Sequence, residues 1–285
     1  MAVRHFLIST LVLLSLSRVD RRRAKMLMRN AAIRFCHRLL SSLCPQYRIR
    51  TGPCIVFAPH QDDETLGCGG LIARKRHEGL PVHVIFITDG AASHPGHPRL
   101  SSAAIRALRH REALAALAIL GVESGAIHFL DEADGMLDSL DPTRGAMLVE
   151  RITTLLRDIG PEEVFLPCSP DGSTEHDAAF RFVSAALQQT TLRPDVWQYP
   201  VWSWWNPLLL IERMIFTTGR CALPTEDYQP VKALALHTYR SQVEATPPWL
   251  QPTLPPELVS IFGADREFFF RYRPPAPGQA EIKVI

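Results

Sequence analysis

A chain of 285 residues, 46% hydrophobic and 21% charged, has the make-up of a soluble globular protein large enough to bury a sizeable core. This excludes a disordered, fibrous or multi-span membrane chain. The formal net charge of +2 hides an asymmetry: residues 1–50 carry 11 Lys and Arg against the single acid Asp20, so residues 51–285 are net −8.

In chain order, the first feature is the apolar run at residues 6–17, FLISTLVLLSLS. Its 12 residues fall short of the roughly 20 needed to span a bilayer. It has the length of a signal-peptide core. However, Arg18, Arg21, Arg22, Arg23 and Lys25 follow it, and no small-x-small cleavage site does. A true start at Met26 or Met28 accounts for the segment equally well. Residues 27–43 read as a basic helix, peripheral to the fold.

Short β-branched or apolar runs then alternate with helical patterns. Strands are expected at 54–59, 82–88, 126–130, 163–167 and 195–200. Helices are expected at 66–78, 101–120, 145–159 and 176–189, several closed by a glycine such as Gly121 or Gly160. Strand–helix alternation with short connections predicts a single α/β domain. Its sheet is doubly wound and mostly parallel, with helices on both faces and sites at the carboxyl ends of the strands. The predicted division is a basic segment 1–50, a catalytic domain 51–245 and a Pro-rich arm 246–285, irregular and packed on the domain. The six cysteines form no C-x-x-C pair and are expected as reduced, mostly buried thiols.

The most informative stretch is 58–70, APHQDDETLGCGG, between the first strand and the first helix. Three adjacent carboxylates beside a histidine are costly unless a cation compensates them. His60 and Asp63, three apart on a turn, can offer a nitrogen and an oxygen to one metal ion. A catalytic zinc keeps three protein ligands and an open position. Asp62 then lies beside the metal, free to take a proton. Glu64 is suited to backbone N–H groups at the helix start. A capped turn of solvated acids satisfies the same spacing. A nucleotide-binding loop does not, because G-x-G-x-x-G is absent and three acids repel phosphate.

PHQDDETLGCGG resembles the PHPDDE signature of the LmbE-like / GlcNAc-PI de-N-acetylase (PIG-L) family. Further similarities are Thr88-Asp89-Gly90, Arg109-x-x-Glu112 with Leu120-Gly121-Val122, Asp134-Gly135, and Lys232-x-x-Ala235-Leu236-His237-x-x-x-Ser241-Gln242. The resemblance spans about residues 51–272. It implies a Rossmann-like fold and zinc-dependent removal of an acyl group, usually acetyl from an amino sugar or glycoconjugate. An amidase on another N-acyl compound, such as a sugar-thiol conjugate, is the second reading, and a catalytically silent metal-binding protein the third. The family's H-P-D-H motif appears here as Ser173-Thr174-Glu175-His176. The resemblance therefore implies His60, Asp63 and His176 as metal ligands, Asp62 as the base and Arg109 as an oxyanion stabiliser. Arg109, Asp89 and Asp134 are implied as substrate-binding, and His237 or Ser173 as replacement for the family's first His. A His₂Asp set suits zinc(II), iron(II) or cobalt(II).

Other signals are weaker. His94 and His97 lie on a loop expected to rim the substrate site, and Trp202, Trp204 and Trp205 suit packing better than sugar stacking. No basic, aromatic-interleaved surface suggests nucleic acid. No stable membrane span is expected, and self-association as a homo-oligomer is left open. The expected compartment is the cytoplasm, with attachment to a membrane surface through residues 1–45 as the alternative.

Overall fold

The computed structural model describes residues 18–217 and 219–274. The apolar run at 6–17 and the last residues of the expected arm, 275–285, lie outside them. Seven strands form one sheet: β1 (Cys54–Ala58), β2 (Val82–Thr88), β3 (Ile127–Glu132), β4 (Glu163–Pro167), β5 (Asp195–Tyr199), β6 (Arg220–Pro224) and β7 (Arg266–Tyr272). Their spatial order is β3-β2-β1-β4-β5-β7-β6. The first five are parallel. β7 runs antiparallel to both β5 and β6.

The helices are α1 (Arg18–Leu43), α2 (Asp63–His77), α3 (Ser102–Ile119), α4 (Pro142–Ile159), α5 (Thr174–Gln188), α6 (Pro207–Phe216), α7 (Gln229–Thr238), α8 (Arg240–Val243) and α9 (Pro256–Phe262). Side chains alternate in direction along the strands, and both faces of β1 and β4 are buried throughout, so the core is split between the two faces of the sheet. Val56, Val84 and Phe86 pack with residues of α1, α2, α3 and α7. Ile55, Phe57, Ile85 and Ile87 pack with α4 and α5. The predicted mostly parallel α/β sheet is therefore the one observed.

Helix ends follow local chemistry. Asp141 caps α4 by accepting from the N–H groups of Thr143 and Arg144, Pro142 opens its first turn, and Gly160 closes it at φ 60°.

Two expectations about the flanks are corrected. α1 is not peripheral: Ile33, Cys36 and Leu40 are buried in the main core, and burying each Leu or Ile side chain is worth about 1.5–3 kcal/mol. The Tyr47 N–H also donates to the Ala222 carbonyl of β6 at 2.8 Å. Nor is the segment from 246 an irregular arm throughout. It contains α9 and then β7, which lies inside the sheet with Phe268, Phe269 and Phe270 buried. Eight prolines at 247–277 mask the proline-free stretch 257–273, which holds most of α9 and all of β7.

The chain order places β1 at the centre. It proceeds outward to β2 and β3, then returns to β4 and β5 on the other side. The order of the strands reverses between β1 and β4, and open α/β sheets bind ligands at the carboxyl ends of the strands flanking such a reversal. The segments leaving these two strands carry His60 and His176.

Candidate functional site

His60 follows β1, Asp63 opens α2 and His176 lies in the first turn of α5. Their ligand atoms all lie within 4.8 Å of one another. Asp63 Oδ2 is the common centre: 3.2 Å from His60 Nδ1 and 3.3 Å from His176 Nε2. The outer nitrogen of each ring is held by further acids. His176 Nδ1–H donates to Asp171 Oδ2 at 2.8 Å. His60 Nε2 lies 3.1 Å from Glu175 Oε2 and 3.3 Å from Asp134 Oδ1. Metal-binding histidines are commonly oriented in this way, through a carboxylate on the nitrogen facing away from the ion.

Of the imidazole nitrogens at this site, one lacks a hydrogen bond. His176 Nε2 is buried and makes no hydrogen bond, although an unpaired buried nitrogen is costly. It faces Asp63 and His60 from the side opposite to its Asp171 anchor. A cation between the three side chains satisfies it, and the donor set of two imidazoles and one carboxylate fits a first-row divalent metal.

Electrostatics point the same way. Burial by itself would depress both histidines. At His60, hydrogen bonds to the carboxylates of Asp134, Asp63 and Glu175 outweigh burial and hold the pKa well above its ordinary value. At His176, the carboxylates of Asp63 and Asp171 raise it to about 9. Asp63 is held well below the usual carboxylate range, because the two imidazoles overcome its burial. The pocket thus has more negative charge than its side chains can balance, and the histidines attract protons where no other cation is available.

Asp62 occupies the N-cap position of α2 without a side-chain cap and with φ 145°, a strained backbone region that non-glycine residues rarely adopt and that clusters at functional sites. Glu64 supports this turn: its Oε2 accepts the Asp62 N–H at 3.1 Å, and its Oε1 accepts the hydroxyls of Thr65 and Tyr239. Burial raises the Asp62 carboxyl to about 6, against the pull of Arg109. Arg109 is buried, with Nη2 3.4 Å from Asp62 Oδ2. The same nitrogen donates to the Gln61 carbonyl. Gly90 has φ +66°, and a Cβ there would strike Gln61 and Arg109. Only glycine therefore fits the close approach.

Not every expected residue faces this group. Asp89 Oδ1 is occupied by the N–H groups of Ala91 and Asp134, so it braces two loops together. Asp134 Oδ2 accepts the Ala92 N–H at 2.8 Å, and its other oxygen points to His60. Ser173 is the N-cap of α5, accepting from the His176 N–H. His237 is exposed, and its Nδ1 lies 2.7 Å from the Ala233 carbonyl of its own helix. The fold does not bring it to the His60 group. Lys232, Ala235 and Leu236 are the buried residues of α7.

Sequence reasoning missed Asp171 and Glu175. Asp171 is fully buried and accepts the N–H groups of Val201, Trp202 and Ser203 as well as binding His176. Glu175 also accepts the Leu137 N–H at 2.8 Å. The available signal was the run of acids around His176, but apart from the Asp171–His176 pair the partners of these two carboxylates lie 30 or more residues away. The tryptophans of 202–205 serve packing, as expected: Trp204 is buried against Phe268, and Arg29 lies over the Trp205 ring.

Among known proteins, residues 55–187 match the family model PIG-L: GlcNAc-PI de-N-acetylase. A 2'-N-acetylparomamine deacetylase of Streptomyces fradiae is 28% identical over 143 residues, 45% of this chain and 50% of that protein. The chain thus spans about half the length of this curated relative. The N,N'-diacetylchitobiose deacetylase of Pyrococcus horikoshii shares the fold with TM-score 0.52 and 20% identity, over 66% of this chain and 69% of that one. GalB, the 4-carboxy-2-hydroxymuconate hydratase of Pseudomonas putida KT2440, shares it with TM-score 0.57 and 18% identity, over 74% and 82%. The same fold therefore serves a deacetylase and a hydratase, and the site must decide the chemistry. The match to the family model is confined to residues 55–187, the segment that contains His60, Asp62, Asp63 and His176.

Proposed function

We propose that this protein is a metal-dependent hydrolase that removes the acetyl group from the nitrogen of an N-acetylated sugar or glycoconjugate. The observation that carries this reading is the buried, unpartnered His176 Nε2 facing Asp63 and His60. The similarity to the 2'-N-acetylparomamine and N,N'-diacetylchitobiose deacetylases supports the substrate class.

His60 Nδ1, Asp63 Oδ2 and His176 Nε2 would hold the ion, with zinc(II) the best fit to the donor set. When bound, the metal supplies Lewis-acid polarisation of the acyl oxygen and a more acidic water. The remaining work falls to the chain. Asp171, Glu175 and Asp134 hold the two imidazoles in register. Asp62 accepts the proton of the attacking water and delivers it to the leaving amine. A carboxyl at about 6 is ionised at neutral pH yet more basic than an exposed aspartate, which suits a general base. Arg109 keeps Asp62 oriented, and its Nε and Nη1, buried without partners, are free to stabilise the charge developing on the acyl oxygen.

No helix among the described residues is long and apolar enough to cross a membrane. All six cysteines are unpaired, which supports a reducing compartment, the cytoplasm.

The test combines metal analysis of the purified protein with acetate release from N-acetylglucosamine derivatives and N,N'-diacetylchitobiose. Bound or activating divalent metal and chelator-sensitive acetate release are expected. A protein that neither binds nor responds to any divalent metal would overturn the proposal.

A further inference from the structure

Beyond the His60 group, a second concavity lies at the same end of the sheet. It has a volume of about 260 Å³, near the lower end of the roughly 300–1,000 Å³ usual for small-molecule sites. That is room for one ring rather than a chain. One wall is the loop after β2, with His94. The other is the strap after α8, with Glu244, Thr246, Trp249, Gln251 and Thr253.

The two walls are fastened together. His94 Nδ1 lies 3.0 Å from Ser93 Oγ, and its Nε2 lies 3.3 Å from Thr246 Oγ1. His97 Nε2–H donates to the Pro247 carbonyl at 2.9 Å. The Trp249 ring sits 4.9 Å from His97 in an edge contact and 5.5 Å from His94 in a tilted one. Its backbone N–H is tied to the Thr246 carbonyl at 3.0 Å. The strap's far end is anchored by the Leu254 N–H on the Gln242 carbonyl at 2.9 Å. Trp249 is therefore braced at its edges while remaining partly exposed in the concavity.

This concavity adjoins the candidate active site. Gly90, four residues before His94, lies against Gln61 and Arg109, and the strap follows Ser241, whose N–H and hydroxyl donate to Glu112, one turn from Arg109 on α3. Arg109 in turn contacts Asp62. Beside the indole the strap carries the hydroxyls of Thr246 and Thr253 and the amide of Gln251, the facing loop carries the Ser93 hydroxyl, and the one acid, Glu244, is already paired with Arg240. An indole flanked by uncharged donors and acceptors fits a pyranose, which offers a C–H face to the ring and hydroxyls to the polar groups. It offers no uncompensated charge for an ionic ligand.

Resting on the deacetylase reading, we propose that the Trp249 concavity is a saccharide subsite, holding the sugar ring next to the one that is deacetylated. It makes the enzyme selective for a disaccharide or larger glycoconjugate over a lone amino sugar.

The test reads binding separately from turnover. Chitobiose, which has no acetyl group, and glucosamine are titrated calorimetrically into wild type, Trp249→Ala, Trp249→Phe and Gln251→Ala. KM and kcat are measured with N,N'-diacetylchitobiose and N-acetylglucosamine. Trp249→Ala is expected to weaken chitobiose binding about tenfold and to raise KM for the disaccharide alike. Metal content should stay at the wild-type level, and KM for N-acetylglucosamine should rise less than KM for the disaccharide. Trp249→Phe should retain most of the affinity, and Gln251→Ala should lose about threefold. Should wild type bind chitobiose but release acetate from no substrate, the deacetylase reading fails and the saccharide subsite stands. Equal chitobiose affinity in wild type and Trp249→Ala, or no preference of wild type for chitobiose over glucosamine, would overturn the subsite.

Discussion

Two buried charge clusters lie at opposite ends of the same sheet. At the amino ends of the strands, Lys75 Nζ donates to Glu163 Oε2 at 2.8 Å and to the Arg50 carbonyl at 3.0 Å, and Tyr47 donates its hydroxyl to the other oxygen of Glu163. Lys75 is fully buried and Glu163 nearly so. Every oxygen of the carboxylate is used, and one positive charge answers one negative. At the carboxyl ends, around His60, the carboxylates of Asp62, Asp63, Asp134, Asp171 and Glu175 surround two imidazoles and one guanidinium. His176 Nε2 is left without a partner there, as are Arg109 Nε and Nη1. Burial and charge are common to both clusters, so neither marks function. What separates them is completeness. The first cluster is closed on itself and joins α2 to the sheet, whereas the second is balanced only by something that the chain does not supply.

Substitutions can break this contrast, and the largest effect is expected at Asp62. Asp62→Asn should lower kcat by about 10²–10⁴-fold, the usual contribution of a general base, while metal content measured by emission spectroscopy stays at the wild-type level. If Asp62→Asn turned over as fast as wild type, the base assignment would be wrong. At the closed cluster, Lys75→Met strands a buried carboxylate and should cost about 3–5 kcal/mol of stability in denaturant titration, with kcat of the folded fraction unaltered. The pair Lys75→Met, Glu163→Gln should recover part of that loss, since the uncompensated charge is gone and Tyr47 keeps an acceptor. An altered kcat in Lys75→Met would show that the two ends are coupled. Glu175→Gln, acting through His60, should reduce metal affinity or activity about 10–100-fold, read by competition with a chromophoric chelator. His237→Ala should have the smallest effect, with acetate release close to wild type, because the side chain is exposed and bonded to its own helix.

The parallel half of the fold was legible before any coordinates. Val82–Thr88 and Glu163–Pro167 are the strands expected at 82–88 and 163–167, because buried parallel strands are continuous apolar runs with clear breaks. The antiparallel edge was not legible. β7 is hidden among prolines, and its neighbours β5 and β6 are far from it in sequence. Likewise, the buried face of α1 was obscured by its arginines, which read as a solvated helix until Cys36 and Leu40 met the core.

At the site, His60, Asp62 and Asp63 were readable from local spacing alone, because one turn carries all three and adjacent acids demand a counter-charge. His176 was reached only through the family motif, since its distance from Asp63 is a property of two strands pairing, not of the chain between them. The roles of Asp171 and Glu175 as ring anchors, of Asp89 as a loop brace and of Arg109 as the partner of Asp62 were decided by tertiary structure. Local sequence determines what a turn can offer. Which distant groups satisfy it, and which atom is left unsatisfied, depends on burial, and burial is a property of the assembled sheet and its helices.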